Sequence, residues 1–111
     1  MKEVFSKELR LRKKHEFIHL FSKKQVLRGK YILFHWNIAS EALPKLGLSV
    51  SCRFGNSPTR NRFKRLLREI FRKNLQKMPR GLEVNCSPMQ KIENLRYQEL
   101  EEDFFYLLKK I

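Results

Sequence analysis

Ser57-Pro58-Thr59-Arg60-Asn61-Arg62-Phe63-Lys64-Arg65-Leu66-Leu67-Arg68-Glu69-Ile70-Phe71-Arg72-Lys73 is the stretch from which the rest of the chain can be read. Asn56 or Ser57 offers a polar N-cap, and Pro58 falls in the first turn, where its missing N–H costs nothing. At about 100° per residue, Phe63, Leu66, Leu67, Ile70 and Phe71 share one apolar arc. Arg60, Lys64, Arg68 and Arg72 follow one another at i+4 steps along its flank, with Arg65 beside them. A charge run is usually a solvated helix face, but such faces interleave acids for i,i+4 pairing. Here seven Lys/Arg stand against the single acid Glu69. A helix anchored by one face and holding out a fixed row of cations predicts contact with a polyanion.

The whole chain agrees with its central helix. At 111 residues it makes one domain, and 41% hydrophobic content is enough to fold it. Its 25 Lys/Arg against 11 Asp/Glu give a net charge of +14. Self-repulsion of that size is unfavourable unless a polyanion offsets it. Residues 93–111 carry five acids and three bases, a net −2 that leaves +16 on the first 92 residues. The C-terminal segment therefore reads as scaffold, and the partner surface lies before it. No stretch approaches the ~20 apolar residues of a membrane span, and no apolar signal core opens the chain, so a cytoplasmic protein is expected. Cys52 and Cys86 lie far apart inside apolar or small-residue runs and read as buried free thiols.

Outward from the helix, residues 1–13 form a basic arm with Leu9 and Leu11 as its apolar points. A helical pattern spans about residues 14–24, with Phe17, Leu20, Phe21 and Lys24 at i, i+3, i+4, i+7. Arg28-Gly29-Lys30 breaks the chain, and Tyr31-Ile32-Leu33-Phe34-His35-Trp36-Asn37-Ile38 reads as a strand. Leu46-Gly47-Leu48-Ser49-Val50-Ser51-Cys52 alternates: the leucines, Val50 and Cys52 on one side, Gly47, Ser49 and Ser51 on the other. That nearly side-chain-free strip admits either an approaching backbone or a tightly packed helix. Arg53-Phe54-Gly55-Asn56 turns into the basic helix, which continues to about Lys77 until Met78-Pro79-Arg80-Gly81 ends it. Leu82-Glu83-Val84-Asn85-Cys86 is a short strand. A last helix starts at Leu95 or Tyr97 and runs to Lys110, with Leu100, Phe104, Leu107, Leu108 and Ile111 as its stripe. The order helix, strand, strand, helix, strand, helix makes a two-layer α/β sandwich the natural architecture.

Chemistry-bearing motifs are scarce. His15-Glu16-Phe17-Ile18-His19 matches the H-E-x-x-H pattern of zinc proteases, but no further His-x-x-Gly-x-x-His follows and a chain this small lacks the walls of a peptide cleft. Two surface histidines beside a basic arm are the simpler reading. No nucleophile elbow, P-loop or dinucleotide fingerprint is present, so no protein-borne catalytic residue and no metal site are expected. Aromatic residues do interleave with basic ones: Phe17 and Phe21 one helical turn apart, Phe34 and Trp36 on one face of a strand. Such rings either fill the core or stack unpaired bases.

The block Leu46-Gly47-Leu48-Ser49-Val50-Ser51, then Phe54-Gly55-Asn56, then Thr59-Arg60-Asn61-Arg62-Phe63-Lys64-Arg65-Leu66-Leu67-Arg68-Glu69, resembles the signature of the bacterial ribonuclease P protein subunit. Leu11-Arg12-Lys13-Lys14-His15-Glu16-Phe17 with Leu20-Phe21 is similar to that family's opening, and residues 97–111 to its closing helix. The resemblance implies an α+β fold: a two-layer sandwich with a small mixed four-stranded sheet. A left-handed βαβ crossover would carry the Arg60-Asn61-Arg62 helix. The residues themselves mark only three of the strands. It implies that a catalytic RNA hydrolyses the 5′ leader from precursor tRNA, with Mg²⁺ used by the RNA and not by a dedicated protein site. Arg60, Asn61, Arg62, Lys64, Arg65, Arg68 and Arg72 would contact the catalytic RNA. Arg12, Phe17, Phe21, Phe34, Ser49 and Arg53 would line a leader groove between the first helix and the sheet. The implied partners are the catalytic RNA and precursor tRNA, with neither a membrane nor a protein partner. A small ribosomal or general RNA-binding protein would share the charge but not the motif. The chain departs from the family pattern twice: Cys52-Arg53 stands where two basic residues usually follow the Ser-Val-Ser strand, and Val84-Asn85-Cys86-Ser87-Pro88 lacks an arginine.

Overall fold

The structure, a computed structural model, describes residues 9–39, 43–91 and 94–111. Helix α1 (Lys14–Ser22) leads into strands β1 (Val26–Arg28), β2 (Ile32–Ile38) and β3 (Lys45–Leu48). Helix α2 (Ser57–Lys73), β4 (Leu82–Pro88) and α3 (Tyr97–Leu108) complete the chain. The sheet order is β1-β2-β4-β3, antiparallel except for the parallel β3/β4 pair, whose crossover carries α2. Most of the basic arm, residues 1–8, lies outside the described residues; its end bonds to the free edge of β3 through a parallel Arg10–Leu46 bridge.

One face of the sheet forms the main core. Phe63, Leu66, Leu67, Ile70 and Phe71 of α2 are all buried, the arc that the sequence marks, and join Leu100, Phe104 and Leu107 of α3 over Ile32, Phe34, Leu46, Val84 and Cys86. Sheet, α2 and α3 are the two layers. Helix α1 lies on part of the opposite face, over Gly47 and His35. Its Leu20 is buried there.

The fourth strand is β1, three residues paired to β2 in the register Val26↔His35, Leu27↔Phe34, Arg28↔Leu33. It lies where the sequence shows only a helix tail running into the Arg28-Gly29-Lys30 break. Too short to display alternation, it forms because the β1–β2 turn is fastened from α3. The buried Asp103 carboxylate accepts the backbone N–H groups of Lys30, Tyr31 and Ile32 at 2.8, 2.9 and 2.9 Å. The strand after Pro44 stops at Leu48, four residues before Cys52. A single 3-10 turn (Cys52–Phe54) follows, and it leaves the Cys52 thiol exposed instead of buried. Cys86 is buried, and burial together with the nearby Asp103 charge pushes its thiol pKa well up.

Candidate nucleic-acid interface

Helix α2 begins at Asn56, whose side-chain oxygen accepts the Thr59 N–H at 3.0 Å; Ser57 is the first helical residue. With the apolar arc buried, the opposite side of the helix centres on Asn61, Arg65, Arg68 and Arg72, at i, i+4, i+7 and i+11. Asn61 and Arg65 are exposed, Arg68 and Arg72 half-buried. Burial, and then the charge of Arg10, pull the Arg68 guanidinium below its ordinary pKa. Arm and helix thus bring two guanidiniums within electrostatic reach of each other.

Two other basic residues of α2 are tied to the fold by hydrogen bonds. Arg60 folds back on the N-terminal turn, its Nε donating to Gly55 O at 3.2 Å and its Nη2 to Ser57 Oγ at 3.0 Å. Arg62 donates through Nη1 to the Leu95 carbonyl, tying α2 to the segment ahead of α3. Lys64 is half-buried. The row Arg60–Lys64–Arg68–Arg72 that the sequence singles out therefore starts at the margin of the cationic surface, at Arg60 and Lys64, and reaches its centre at Arg68 and Arg72. The crest of that surface runs from Asn61 through Arg65 to Arg68 and Arg72.

The second candidate surface is the sheet face that α1 only partly covers. Register places Val26, His35, Asn85 and Gly47 in one row and Arg28, Leu33 and Ser87 in the next. Phe17 sits on the first row: a Cβ on Gly47 would lie 2.7 Å from its ring and 2.9 Å from Asn85 Oδ1. At Gly47 the strip of small residues therefore receives a helix. Gly47→Ala is expected to lift α1 and cost about 1–3 kcal/mol by denaturant melting, as overpacking does. Beyond α1 the groove is open: Phe21 is 39% exposed and meets the His35 ring edge-on at 4.8 Å. Ser49 is exposed and donates to Asn85 Oδ1 at 3.2 Å. Exposed Arg53 lies on the 3-10 turn after β3, its guanidinium 5.0 Å from the centre of the Phe54 ring. Arg12, also exposed, leads into α1, its N–H donating to Glu16 at 3.2 Å.

Phe34 does not belong to this groove. It is 0% exposed and packs edge-on against Phe104 at 5.1 Å, on the α3 side of the sheet. The alternation of β2 carries the signal: Ile32, Phe34 and Trp36 are its apolar side, and Leu33, His35 and Asn37 the side left for the groove. The groove residue missing from the sequence reading is His35. Its Nδ1 is buried without a hydrogen-bond partner, and desolvation, then the charge of Arg28, lower its pKa. A depressed histidine pKa makes stability fall with acid, because the unfolded chain takes up the proton first. Melts are expected to show a loss of stability starting near the ordinary value of 6.5 and continuing down to the lowered folded value. His35→Gln is expected to flatten that slope.

Within the H-E-x-x-H motif, Glu16 is engaged by the fold. Glu16 accepts the Lys13 N–H at 3.0 Å as part of the α1 cap and pairs with Lys45 at 3.4 Å. Its pKa is lowered chiefly by the Lys13 N–H.

A basic helix crest, an aromatic groove on the opposite face of a small mixed sheet, and acids gathered on the last helix define a small α+β module built to present cations and flat rings. Comparison with known proteins is specific. Residues 5–111 match the family described as Ribonuclease P. A ribonuclease P protein component from Thermotoga sp. (strain RQ2) is 30% identical over 115 residues, covering 100% of this chain and 98% of that one. One from Natranaerobius thermophilus is 35% identical over 100 residues, covering 90% and 87%. The solved RNase P protein from Thermotoga maritima superposes with a TM-score of 0.83 at 30% identity, covering 92% of this chain and 96% of that one. The Staphylococcus aureus RNase P protein shares the fold, with a TM-score of 0.80 at 23% identity over 94% and 95% of the chains. The chain belongs to the ribonuclease P protein family.

Proposed function

We propose that this protein is the subunit of ribonuclease P that positions RNA for removal of the 5′ leader from precursor tRNA. The outward side of α2 docks on the catalytic RNA through Asn61, Arg65, Arg68 and Arg72, with Arg60, Arg62 and Lys64 at its margins. The leader runs in the groove beside α1. There Phe17 and Phe21 offer ring faces to unpaired bases, and Arg12, Arg53 and Ser49 offer donors to the backbone. Phosphodiester hydrolysis belongs to the RNA, which uses Mg²⁺ held by its own phosphates, and the ribonucleoprotein works in the cytoplasm. The protein contributes affinity and orientation, and supplies no nucleophile.

The observation that carries this reading is a family match over nearly the whole chain, joined to a helix whose unburied side carries seven Lys/Arg against one acid. Electrostatic neutralisation at that surface is expected to lower the Mg²⁺ the RNA needs, since protein cations take over part of the counterion work. Reconstitution tests it: the protein is added to cognate ribonuclease P RNA at low Mg²⁺ and leader cleavage is measured. Accelerated cleavage with a steep dependence on monovalent salt is expected. No acceleration at any protein concentration would refute the assignment.

A further inference from the structure

The N-terminal turn of α2 and the turn ahead of α3 enclose a cleft lined by Thr59, Arg62, Asn94 and Arg96. Its lining among the described residues holds two guanidiniums, a hydroxyl and a carboxamide. Another depression, lined by Lys30, Tyr31, Glu99, Glu102, Asp103 and Tyr106, is richer in acids. The cleft is also built firmly. Leu95 is buried in the core, Asn94 takes the left-handed conformation that turns the chain (φ 63°), and Arg62 donates to the Leu95 carbonyl. That bond spends one edge of the Arg62 fork and fixes its plane, so the other edge is presented in a set direction.

Arg96 is exposed at the N-cap of α3, where its backbone N–H donates to Glu99 Oε1 at 3.0 Å and so takes part in the helix cap. Its charge stands at the positive end of the helix dipole, an unfavourable place for a cation that the Glu99 carboxylate offsets in part. An exposed cation facing a second cation held by a backbone carbonyl fits an anion with several acceptor oxygens. A fork-like donor pair with flanking hydroxyl and amide groups matches a phosphodiester better than it matches a single carboxylate. Arg62 lies three residues before Arg65 on α2, so the cleft continues the cationic crest around the end of the helix.

We propose that the Thr59–Arg62–Asn94–Arg96 cleft is an RNA phosphodiester site, so that the contact surface wraps from α2 onto the start of α3. This inference rests on the α2 docking described above. Arg96 and Thr59 are its diagnostic residues, because neither belongs to the crest. The test uses the full chain with two labelled probes, the cognate catalytic RNA and, separately, leader-bearing precursor tRNA, in filter-binding titrations across a salt series.

For R96Q, affinity for one of the RNAs is expected to fall about tenfold, the loss that goes with a charged hydrogen bond, and the salt slope to drop by about one. R96K, which keeps the charge, is expected to recover most of the salt slope. T59V, which keeps the shape but not the hydroxyl, is expected to weaken binding several-fold. K110Q, at the far end of α3, reports non-specific charge loss and is expected to bind like the parent. The RNA whose affinity falls identifies the strand that supplies the phosphate. Parent-like binding of both RNAs by R96Q and T59V would overturn the site; if R65A still weakened binding, docking through α2 would stand. Parent-like binding by R65A as well would remove both readings.

Discussion

Asp103→Ala is expected to lower the unfolding free energy by about 3 kcal/mol or more, since each buried donor left unpaired costs about 1–3 kcal/mol. The carboxylate holds three consecutive backbone N–H groups of the β1–β2 turn. The Ile32 donor is fully buried, whereas those of Lys30 and Tyr31 are reached in part by water, which keeps the total below three full penalties. Gly29 lies directly against the same carboxylate: an added Cβ would come within 2.5 Å of Asp103 Oδ2. Gly29→Ala should therefore destabilise by displacing the acceptor, even though Asp103 is intact. Asp103→Asn keeps one acceptor oxygen and is expected to fall between the parent and Asp103→Ala. Urea melts read all three. A midpoint for Asp103→Ala within experimental error of the parent would mean that the turn is held by strand pairing alone.

The same carboxylate marks where the sequence stopped being readable. The buried arc of α2 was legible because five apolar residues repeat at helical spacing, and nothing elsewhere in the chain competes for them. Its N-cap narrowed to two residues for the same reason. Strand β1 was not legible, because three residues show no period and the turn after them is fastened by a carboxylate 71 or more residues away on α3. In sequence Asp103 is one more acid of a scaffold helix, and net charge does not separate a buried carboxylate from a solvated one. Phe34 shows a different limit. Aromaticity gave two uses for the ring, and only the face of β2 decided between them. That face was inferable from the pairing of Phe34 with Ile32 and Trp36, and the same step would have named His35. Cys52 looked buried because alternation was carried past the point where β3 ends. Where a strand stops depends on pairing partners, and β4 pairs in register with β3 as far as Leu48, with one further bond from the Ser49 N–H to the Cys86 carbonyl.

Reversing two charges at the crest of α2, with Arg65→Glu and Arg68→Glu together, is expected to raise the dissociation constant for the catalytic RNA by about 100-fold, or about 2.7 kcal/mol, at moderate salt. The effect should shrink as salt rises, because what is lost is largely counterion release. Stability should behave otherwise. Arg68 is acted on first by burial and then by the charge of Arg10, so a carboxylate at that position keeps the burial cost but exchanges a repulsion for an attraction, and melts are expected to stay near the parent. Arg60→Ala gives the instructive contrast. Its guanidinium holds Gly55 O and Ser57 Oγ, so removing it loosens the start of α2 by about 0.5–1.5 kcal/mol per bond before any RNA is present. A drop in affinity there mixes a weakened helix with a lost contact, whereas at Arg65, which is exposed and contributes nothing to the core, it reports contact alone. Unchanged RNA affinity in the double reversal, with the fold intact, would place the docking surface elsewhere on the protein and leave the crest of α2 without a partner.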